Sequence, residues 1–231
     1  MVNSKGGRKR MKFENTEAWG FEHSLRGMRN PMNSHSKSDS YYDNNNYIIG
    51  ENDFGLAQRL IKAGSEHRKF MRQIFVSVDI TAPLYWWKEF DTYKVGTVAN
   101  STSTMHKLAT TPITLDCFEI DDYNRNLSLA DNPKDDDGLD NISTFEEDII
   151  YILENIRQKY LETKDKRYWK ELIRWLPESW LQTRTITMSY ENVRNMYFQR
   201  KNHKLTEWSK SFIEWVESLP YAKELITYEG E

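Results

Sequence analysis

The chain has 231 residues, a formal net charge of -3 and a sequence pI near 6.0, so no overall positive field directs it to duplex nucleic acid or to an anionic membrane. Its single cysteine, Cys117, excludes an internal disulfide framework and a cysteine-rich zinc site, which is typical of a protein from a reducing cytoplasm. No apolar run has membrane-spanning length and the N-terminus lacks the apolar core of a signal peptide, so we expect a cytoplasmic protein without a membrane partner.

The N-terminal part of the chain predicts a tail, a helix and a polar loop. Residues 1–12 are basic and contain Gly, Ser and Lys, which indicates a mobile basic tail. Apolar residues from Trp19 to Met28 recur at helical spacing and predict a short helix that Pro31 ends. Residues 34–47 are too polar to pack alone, which indicates either a flexible loop or a binding loop ordered by a partner.

A helix and a strand follow. The pattern FGLAQRLIKAG predicts a helix that begins near Asp53 and ends at Gly64. Strict alternation of apolar and polar residues from Ile74 to Ile80 predicts a strand with one buried face, and Pro83 ends it. The aromatic run LYWWKEF then predicts a further helix.

The next region begins with an acidic stretch. Residues 121–142 are turn-rich and nearly free of large apolar groups, so they predict an inserted surface loop. A helix is predicted to begin at Ser143, with Glu146 at capping-box spacing. Its apolar stripe is predicted to comprise Ile149, Ile152, Leu153, Ile156 and Tyr160.

The C-terminal part is predicted to be mainly helical. One helix begins near Asp165 and is ended by the Leu-Pro pair at Pro177. A last helix is capped by Thr206 and ended by Pro220. Its buried face is predicted to contain Trp208, Phe212, Trp215 or Val216, and Leu219.

The common catalytic motifs are absent from the sequence. It has no phosphate-binding loop, no dinucleotide fingerprint, no HExxH and no GxSxG. The five histidines lack metal-ligand spacing, so no metal site is expected. Cys117 has the acidic neighbours Asp116 and Glu119, which disfavour a thiolate, so a buried structural cysteine is expected instead of a nucleophile.

Arginines of the C-terminal half are candidates for ligand binding. Arg174, Arg184, Arg194 and Arg200 lie in or beside segments with apolar residues. An arginine beside an apolar face can clamp a phosphate or a polarised carbonyl. Taken alone, each of them is better explained as a surface or ion-paired side chain.

Two blocks of the sequence resemble the flavin-dependent thymidylate synthases (ThyX). Ile80-Thr-Ala-Pro83 is followed after eight residues by Thr92-Tyr93-Lys94 and, seven residues later, by Thr102. This is the spacing of the family's strand end, Arg-His-Arg and Ser. The segment KELIRWLPESWLQTRTITMSYENVRNMYFQRKNHKLTEW is similar to the family's C-terminal blocks. Together the blocks cover about residues 54–110 and 143–220, and they also resemble ThyX-like proteins of phages and prophages.

The resemblance implies roles for individual residues. Arg194 matches the arginine that binds and activates the pyrimidine, and Asn192 lies in a block that contacts flavin. Arg174 matches an arginine that reaches the nucleotide, while Thr102 and its neighbour Ser103 would keep hydroxyls near the phosphate.

The same resemblance places Tyr93 and Lys94 at the cofactor. Lys94 replaces the last arginine of the motif and would contact flavin or phosphate as a point charge. Thr92 and Tyr93 replace Arg and His, Asn100 stands where the family has Glu, and Thr104 stands where it has Arg. Each of these differences removes a charge that would organise the substrate.

The resemblance implies an α/β fold in which a small, mostly antiparallel sheet is flanked by long helices. It implies a single domain over residues 13–231. It also implies that the protein forms a homo-oligomer, by analogy a tetramer. It implies FAD as cofactor, with NADPH and a methylene-folate donor, and a dUMP-like pyrimidine deoxynucleotide as substrate for reductive one-carbon transfer. Two alternatives stay open: a catalytically inactive protein that sequesters or senses a nucleotide, and a structural oligomer without a ligand. For a phage protein, the location would be the host cytoplasm.

Overall fold

The computed structural model describes residues 11–129 and 141–230. By their contacts these residues form two compact units, which are described separately. The first unit contains Met11 and Lys12, Thr81–Glu89 and the described part of Ser101–Arg184. The second unit contains Phe13–Ile80, Phe90–Asn100 and the described part of Thr185–Glu231. That residues 13–231 form one domain stays a prediction.

The fold is mixed α/β, with a small antiparallel sheet and several helices, as the family resemblance implies. The strands are β1 (Lys12–Trp19), β2 (Tyr41–Asp43), β3 (Asn46–Ile48), β4 (Phe75–Pro83), β5 (Thr97–Ser101) and β6 (Leu181–Ser189). The α-helices are α1 (Phe21–Arg29), α2 (Glu51–Lys62), α3 (Leu84–Phe90), α4 (Thr104–Lys107), α5 (Ile142–Thr163), α6 (Lys166–Arg174), α7 (Tyr190–Arg200) and α8 (Ile213–Glu217). Two π-helical segments, Glu207–Phe212 and Ala222–Ile226, complete the C-terminal part.

The four-stranded sheet has the strand order β1-β4-β6-β5, and β2 pairs with β3 in a separate hairpin. The strand predicted from alternation is confirmed as β4, because its apolar face is fully buried through Val76, Val78 and Ile80, and Ile74 directly before the strand is buried as well. Along β4, hydroxyl and carboxyl side chains alternate with these apolar residues and lie on the opposite face of the sheet. They pair between β4 and β6 in antiparallel register as Ser77 with Thr187, Asp79 with Thr185 and Thr81 with Thr183.

The N-terminal predictions need two corrections. Trp19, predicted inside the first helix, is instead the last residue of β1. Gly20 then turns the chain into α1 with φ 89°, and a Cβ there would lie 2.3 Å from the carbonyl oxygen of Gln73, so glycine is required at this turn. Met11 is buried and Lys12 begins β1, so the predicted tail is wrong at its last two residues. Residues 1–10 lie outside the described residues.

The polar loop at 34–47 is ordered by a buried carboxylate, so the expectation of a flexible or partner-ordered loop is wrong. Asp53, in the first turn of α2, is fully buried and accepts hydrogen bonds from Arg29 Nε and from the hydroxyls of Ser38 and Ser40, each at 2.6 Å. Burial alone would raise the pKa of Asp53, but the bonds from Ser38, Ser40 and Arg29 outweigh it and lower the pKa.

The core of the first unit lies between α5, α6 and the segment that follows α4. Its buried members are Leu108, Ala109, Ile113, Phe118, Leu153 and Leu172. The helix α6 begins after Asp165, whose carboxylate accepts the N–H of Arg167 at 2.9 Å, as predicted. Ile152 is 53% exposed, so its assignment to the buried stripe of α5 is wrong.

The start of α5 differs from the prediction. The N-cap is Asn141, whose side-chain oxygen accepts the N–H of Thr144 at 3.1 Å, and the helix begins at Ile142. Asparagine is as good an N-cap as serine, so the earlier residue caps the helix and the predicted capping box of Ser143 and Glu146 is wrong. Of the predicted acidic insertion at 121–142, residues 130–140 lie outside the described residues.

Acid is expected to weaken the first unit through Glu154 on α5. Its carboxylate accepts bonds from Arg157 Nη2 at 2.6 Å and from the N–H of Ile113 at 2.8 Å, and the bond from Arg157 lowers the pKa of Glu154 from 4.5 to about 2. The resulting stability is present above pH 4.5 and is lost as the pH falls towards 2. Between pH 7 and pH 3, the wild type should lose ~1–2 kcal/mol more unfolding free energy than Glu154→Gln in denaturant titrations. Equal losses would contradict this assignment.

The C-terminal helices agree with the sequence in their buried face. Trp208, Phe212, Val216 and Leu219 are all buried. The helical turn begins at Glu207, directly after Thr206, but the Thr206 side chain makes no N-cap hydrogen bond, so the predicted cap is wrong. Within residues 11–129 and 141–230, no helix is long and apolar enough to cross a bilayer. The same residues contain no cluster of His, Cys, Asp or Glu that would hold a metal ion.

Candidate nucleotide site

A hydroxyl-rich pocket lies in the first unit. It has a volume of about 640 Å³, which is in the range of small-molecule sites. Its polar lining consists of Lys12, Thr81, Thr102, Ser103, Thr104, Lys107, Thr111, Asp116, Gln182 and Thr183. The sequence-predicted residues Thr102 and Ser103 therefore lie in one pocket.

The backbone of Thr102 is fixed from both sides. Its N–H donates to the carbonyl oxygen of Thr183 at 2.9 Å, and its own carbonyl oxygen accepts from Gln182 Nε2 at 2.8 Å. Ser103 is the N-cap of α4, because its hydroxyl oxygen accepts the N–H of His106 at 3.3 Å. The Ser103 hydroxyl hydrogen can still donate to a ligand, as can the Thr102 hydroxyl.

Two lysines give the pocket an excess of positive charge. Lys107, at the end of α4, is exposed, and Lys12 begins β1. Neither ammonium group has an ion pair within the described part of the chain. Among the described residues, Asp116 is the one carboxylate that lines the pocket, so hydroxyl donors and a net positive charge together suit an anionic ligand.

Cys117 also lines this pocket and is half-buried, so the expectation of a buried cysteine is wrong. Its sulfur lies 3.7 Å from the carbonyl oxygen of Pro112 and 3.9 Å from the hydroxyl of Thr114. Among the described residues, no histidine lines this pocket. That Cys117 is no nucleophile stays a prediction.

In the second unit, Tyr93 forms a cluster with the end of α7. The Tyr93 hydroxyl donates to Gln199 Oε1 at 2.9 Å and accepts from Arg200 Nε at 2.8 Å. The guanidinium of Arg200 also lies over the ring of Trp208, 4.9 Å from its centroid. An arginine held between two aromatic rings has a fixed orientation.

Asn192 holds the turn that follows Lys94. Its Nδ2 donates to the carbonyl oxygen of Val95 at 2.7 Å, while its Oδ1 accepts from Ser189 in the capping box of α7. Gly96 has φ 77°, and a Cβ there would lie 2.9 Å from Asn192 Oδ1. The Asn192 amide is therefore committed to the protein, whereas the side chain of Lys94 is exposed.

Arg194 lies on the buried side of α7. Its Nη1 donates to the carbonyl oxygens of Ile226 at 2.5 Å and Tyr228 at 2.7 Å, and its guanidinium lies 4.6 Å from the Phe198 ring centroid. Burial, followed by the like charge of Arg68, lowers the pKa of Arg194 to about 10. Nε and Nη2 have no hydrogen bond to the described residues and stay available as donors.

Arg174 is separate from the hydroxyl pocket of its own unit. It lies at the end of α6, half-exposed, and forms an ion pair with Glu171, which also accepts from the indole N–H of Trp175 at 3.1 Å. Its side chain does not line the pocket. A role at the nucleotide stays a prediction for Arg174, as it does for the other predicted site residues.

Sequence reasoning missed Lys107, Gln182 and Thr183 in the first unit and the pairing of Arg200 with Tyr93 in the second. Lys107 is one turn after Ser103, a spacing that places a cation beside a capping hydroxyl. Gln182 and Thr183 meet Thr102 through strand pairing, for which the sequence offers no local pattern.

No protein-family model matches the chain, and no curated protein matches its sequence. Solved structures match nearly its whole length. They include the flavin-dependent thymidylate synthase ThyX from Helicobacter pylori complexed with FAD and dUMP, at 15% identity and TM-score 0.63, covering 94% of this chain and 97% of that chain. They also include the UMP/dUMP methylase PolB from Streptomyces cacaoi bound with 5-Br UMP, at 14% identity and TM-score 0.59, covering 95% of each chain.

The chain therefore has the fold of the flavin-dependent thymidylate synthases, as its motif spacing predicts. A second structure of the Helicobacter pylori enzyme with FAD and dUMP gives a TM-score of 0.64 at 14% identity, covering 95% of this chain and 99% of that chain. At such identities, the fold is what these proteins share with this chain.

Proposed function

We propose that the protein binds a dUMP-like pyrimidine deoxynucleotide and FAD, with the nucleotide phosphate in the hydroxyl pocket. The observation that carries this proposal is the convergence of the Thr102 and Ser103 hydroxyls with the ammonium of Lys107 on one pocket. Hydroxyl donors and a cation are the groups that bind a phosphate. The fold supports the proposal, because structures of the same fold contain FAD with dUMP, or 5-Br UMP.

The second unit contains groups that fit a flavin. Lys94 is an exposed cation on a turn fixed by Asn192 and Gly96, and it would hold a phosphate or a flavin carbonyl as a point charge. Tyr93 and Asn192 would keep this turn in place, since their polar atoms are already bonded within the protein. When bound, the flavin would supply hydride transfer, with NADPH and a methylene-folate as the further reactants.

The arginines would act on the nucleotide. Arg194 has two donor nitrogens left, Nε and Nη2, that would bind the carbonyls of the pyrimidine and stabilise negative charge on it. Arg174 does not line the hydroxyl pocket, and by its resemblance to the family's arginine it would reach the nucleotide only after releasing Glu171. The reaction would be reductive one-carbon transfer to the base, in a homo-oligomer in the cytoplasm.

A catalytically inactive nucleotide-binding protein is the second candidate. Thr92 and Tyr93 occupy the positions of two charged residues in the related motif, and the hydroxyl of Tyr93 is bonded to Gln199 and Arg200. This candidate predicts nucleotide binding without flavin and without turnover.

Two measurements on the purified protein separate the candidates. Flavin absorbance in the visible range, in the preparation or after incubation with FAD, is expected for the first candidate and not for the second. Thermal shifts with dUMP are expected for both. A protein that takes up no FAD refutes the first candidate, and one that is also stabilised by no nucleotide refutes both.

The hydroxyl pocket is tested by a charge reversal. Lys107→Glu is expected to weaken dUMP binding by at least about tenfold, because it replaces a charge-assisted contact with repulsion. Thr102→Val should weaken it by about three- to tenfold through loss of one hydroxyl donor. Lys170→Glu, an exposed lysine of the same unit outside the pocket, is the matched control in titration calorimetry. Equal affinities of the Lys107→Glu and Lys170→Glu variants would place the nucleotide elsewhere.

A further inference from the structure

A second cavity of the first unit lies under the N-terminal turns of α5 and shares no lining residue with the hydroxyl pocket. Its volume is about 250 Å³, which equals the volume of roughly eight water molecules at ~30 Å³ each. Phe118, Ile149, Ile150 and Pro177 are among the apolar side chains that form most of its wall. A wall of this kind suits an apolar body of on the order of eight to ten non-hydrogen atoms.

The charges on this cavity are of one sign. Of the residues 11–129 and 141–230, two carboxylates, Glu119 and Glu146, line it, and no lysine, arginine or histidine does. Glu119 is satisfied by the protein, because it accepts from the hydroxyl of Tyr85 at 3.1 Å and from the N–H of Asp121 at 2.6 Å. The carboxylate of Glu146, in contrast, is not fully hydrogen-bonded by the described part of the protein.

One carboxylate oxygen of Glu146 is buried and lacks a hydrogen-bond partner. This atom, Oε2, has essentially no solvent exposure, and the whole side chain is 12% exposed. The other oxygen, Oε1, is 3.7 Å from Arg125, which is too long for a hydrogen bond, and Arg125 lies closer to Glu147, at 3.2 Å. An unpaired buried carboxylate is costly, so such an atom indicates a missing partner.

The neighbouring groups do not supply this partner. The Tyr123 hydroxyl donates to the carbonyl oxygen of Ile142 at 3.0 Å. Burial, and then the hydrogen-bonding proximity of the Tyr123 hydroxyl to the Glu146 carboxylate, raise the pKa of Tyr123 to about 12. The one hydroxyl proton is donated to Ile142, and Oε2 of Glu146 accepts no hydrogen bond from the described residues. A lone water would need two to four polar partners, and a hard metal ion needs several oxygen ligands, whereas the wall is mostly apolar.

We propose that this cavity binds a small organic cation, a primary ammonium group on an apolar body, with the ammonium donating to Oε2 of Glu146. The ammonium neutralises the carboxylate excess and satisfies the orphaned oxygen, while the apolar body fills the space beside Ile149 and Phe118. The site is independent of the nucleotide site, and its test involves neither nucleotide nor flavin.

The proposal is tested with three ligands of one shape and different charge. All three carry the phenethyl body: phenethylamine ends in the ammonium, 2-phenylethanol ends in a neutral hydroxyl and 3-phenylpropionate ends in a carboxylate. In titration calorimetry and thermal shift, phenethylamine is expected to bind at least about tenfold more tightly than the alcohol, and the acid should not bind. Glu146→Gln, which keeps the shape and removes the charge, should lower phenethylamine affinity by about tenfold or more.

Two further variants make the result specific to this cavity. Glu147→Gln removes the adjacent, exposed carboxylate, which does not line the cavity, and should leave phenethylamine affinity within about twofold. Ile149→Trp fills the cavity and should abolish binding with Glu146 intact. The proposal is refuted if phenethylamine does not bind, if the alcohol binds equally well, or if Glu146→Gln binds phenethylamine as the wild type does. Circular dichroism confirms that each variant is folded.

Discussion

Replacing Asp53 with alanine is expected to lower the free energy of unfolding by about 3–5 kcal/mol. The substitution leaves the guanidinium of Arg29, which is 4% exposed, without its carboxylate and removes the acceptor of the Ser38 and Ser40 hydroxyls. A buried charge that loses its partner costs far more than a surface pair contributes. Urea titrations of the wild type and the variant at neutral pH measure the difference.

Asp39 offers the matched control in the same loop. Its carboxylate accepts the N–H groups of Asn52 and Asp53 at 2.9 and 3.1 Å and so caps α2 without contacting Arg29. Asp39→Ala should cost about 1 kcal/mol. Comparable losses for the two variants would show that Asp53 acts only as part of the helix start and not as the centre of a buried network.

The pH dependence follows from the same bonds. Because Asp53 has a lowered pKa in the folded protein, its contribution is present above the unfolded-state pKa near 3.8 and is lost as the pH falls through the folded-state pKa. The Asp53→Ala variant should therefore show a smaller loss of stability below pH ~4 than the wild type.

Elements with a complete local pattern could be predicted from the sequence. β4 has strict alternation of apolar residues with one fully buried face, and the last helical region repeats its apolar residues at a helical period. β1, β5 and β6 could not be predicted in this way. Most of their residues are polar, because their hydroxyl and carboxyl side chains form one face of the sheet, so alternation of hydrophobicity is weak in them.

The ordered conformation of the loop at 34–47 could not be predicted from the sequence, for a different reason. Its serines look like those of a flexible segment, and only the fold brings Ser38 and Ser40 to a carboxylate 13 to 15 residues later in the chain. Long-range hydrogen bonds of this kind have no sequence period. The same argument applies to Tyr93 and Arg200, which are 107 residues apart and meet through one 2.8 Å bond.

The candidate site was partly predictable because motif spacing survives when the residues change. Thr102 and Ser103 came from that spacing, and the structure places both in one pocket. Spacing cannot show which polar atoms are already engaged. The Asn192 amide is bonded to Val95 and Ser189, which makes it a support for the turn at Lys94.

Replacing Arg194 with methionine is expected to lower the free energy of unfolding by about 3 kcal/mol, even without ligand. Methionine keeps much of the apolar packing against Phe198, but the carbonyl oxygens of Ile226 and Tyr228 lose their shared donor. The C-terminal segment would then be held mainly by the apolar side chains of Leu225 and Ile226, which are fully buried. Thermal and urea unfolding measure the loss.

The proposed role of Arg194 at the pyrimidine adds a second, separable expectation. If Nε and Nη2 bind the base, Arg194→Met should also abolish the stabilisation by dUMP, beyond its effect on the free protein. Arg72→Met is the matched control, because Arg72 is 57% exposed and forms its ion pair with Glu191. If the Arg194→Met variant is less stable but dUMP stabilises it as much as it stabilises the wild type, Arg194 binds only the carbonyl oxygens of the C-terminal segment and not the base. The cation at the base would then have to be sought elsewhere, first at Arg200 between Tyr93 and Trp208.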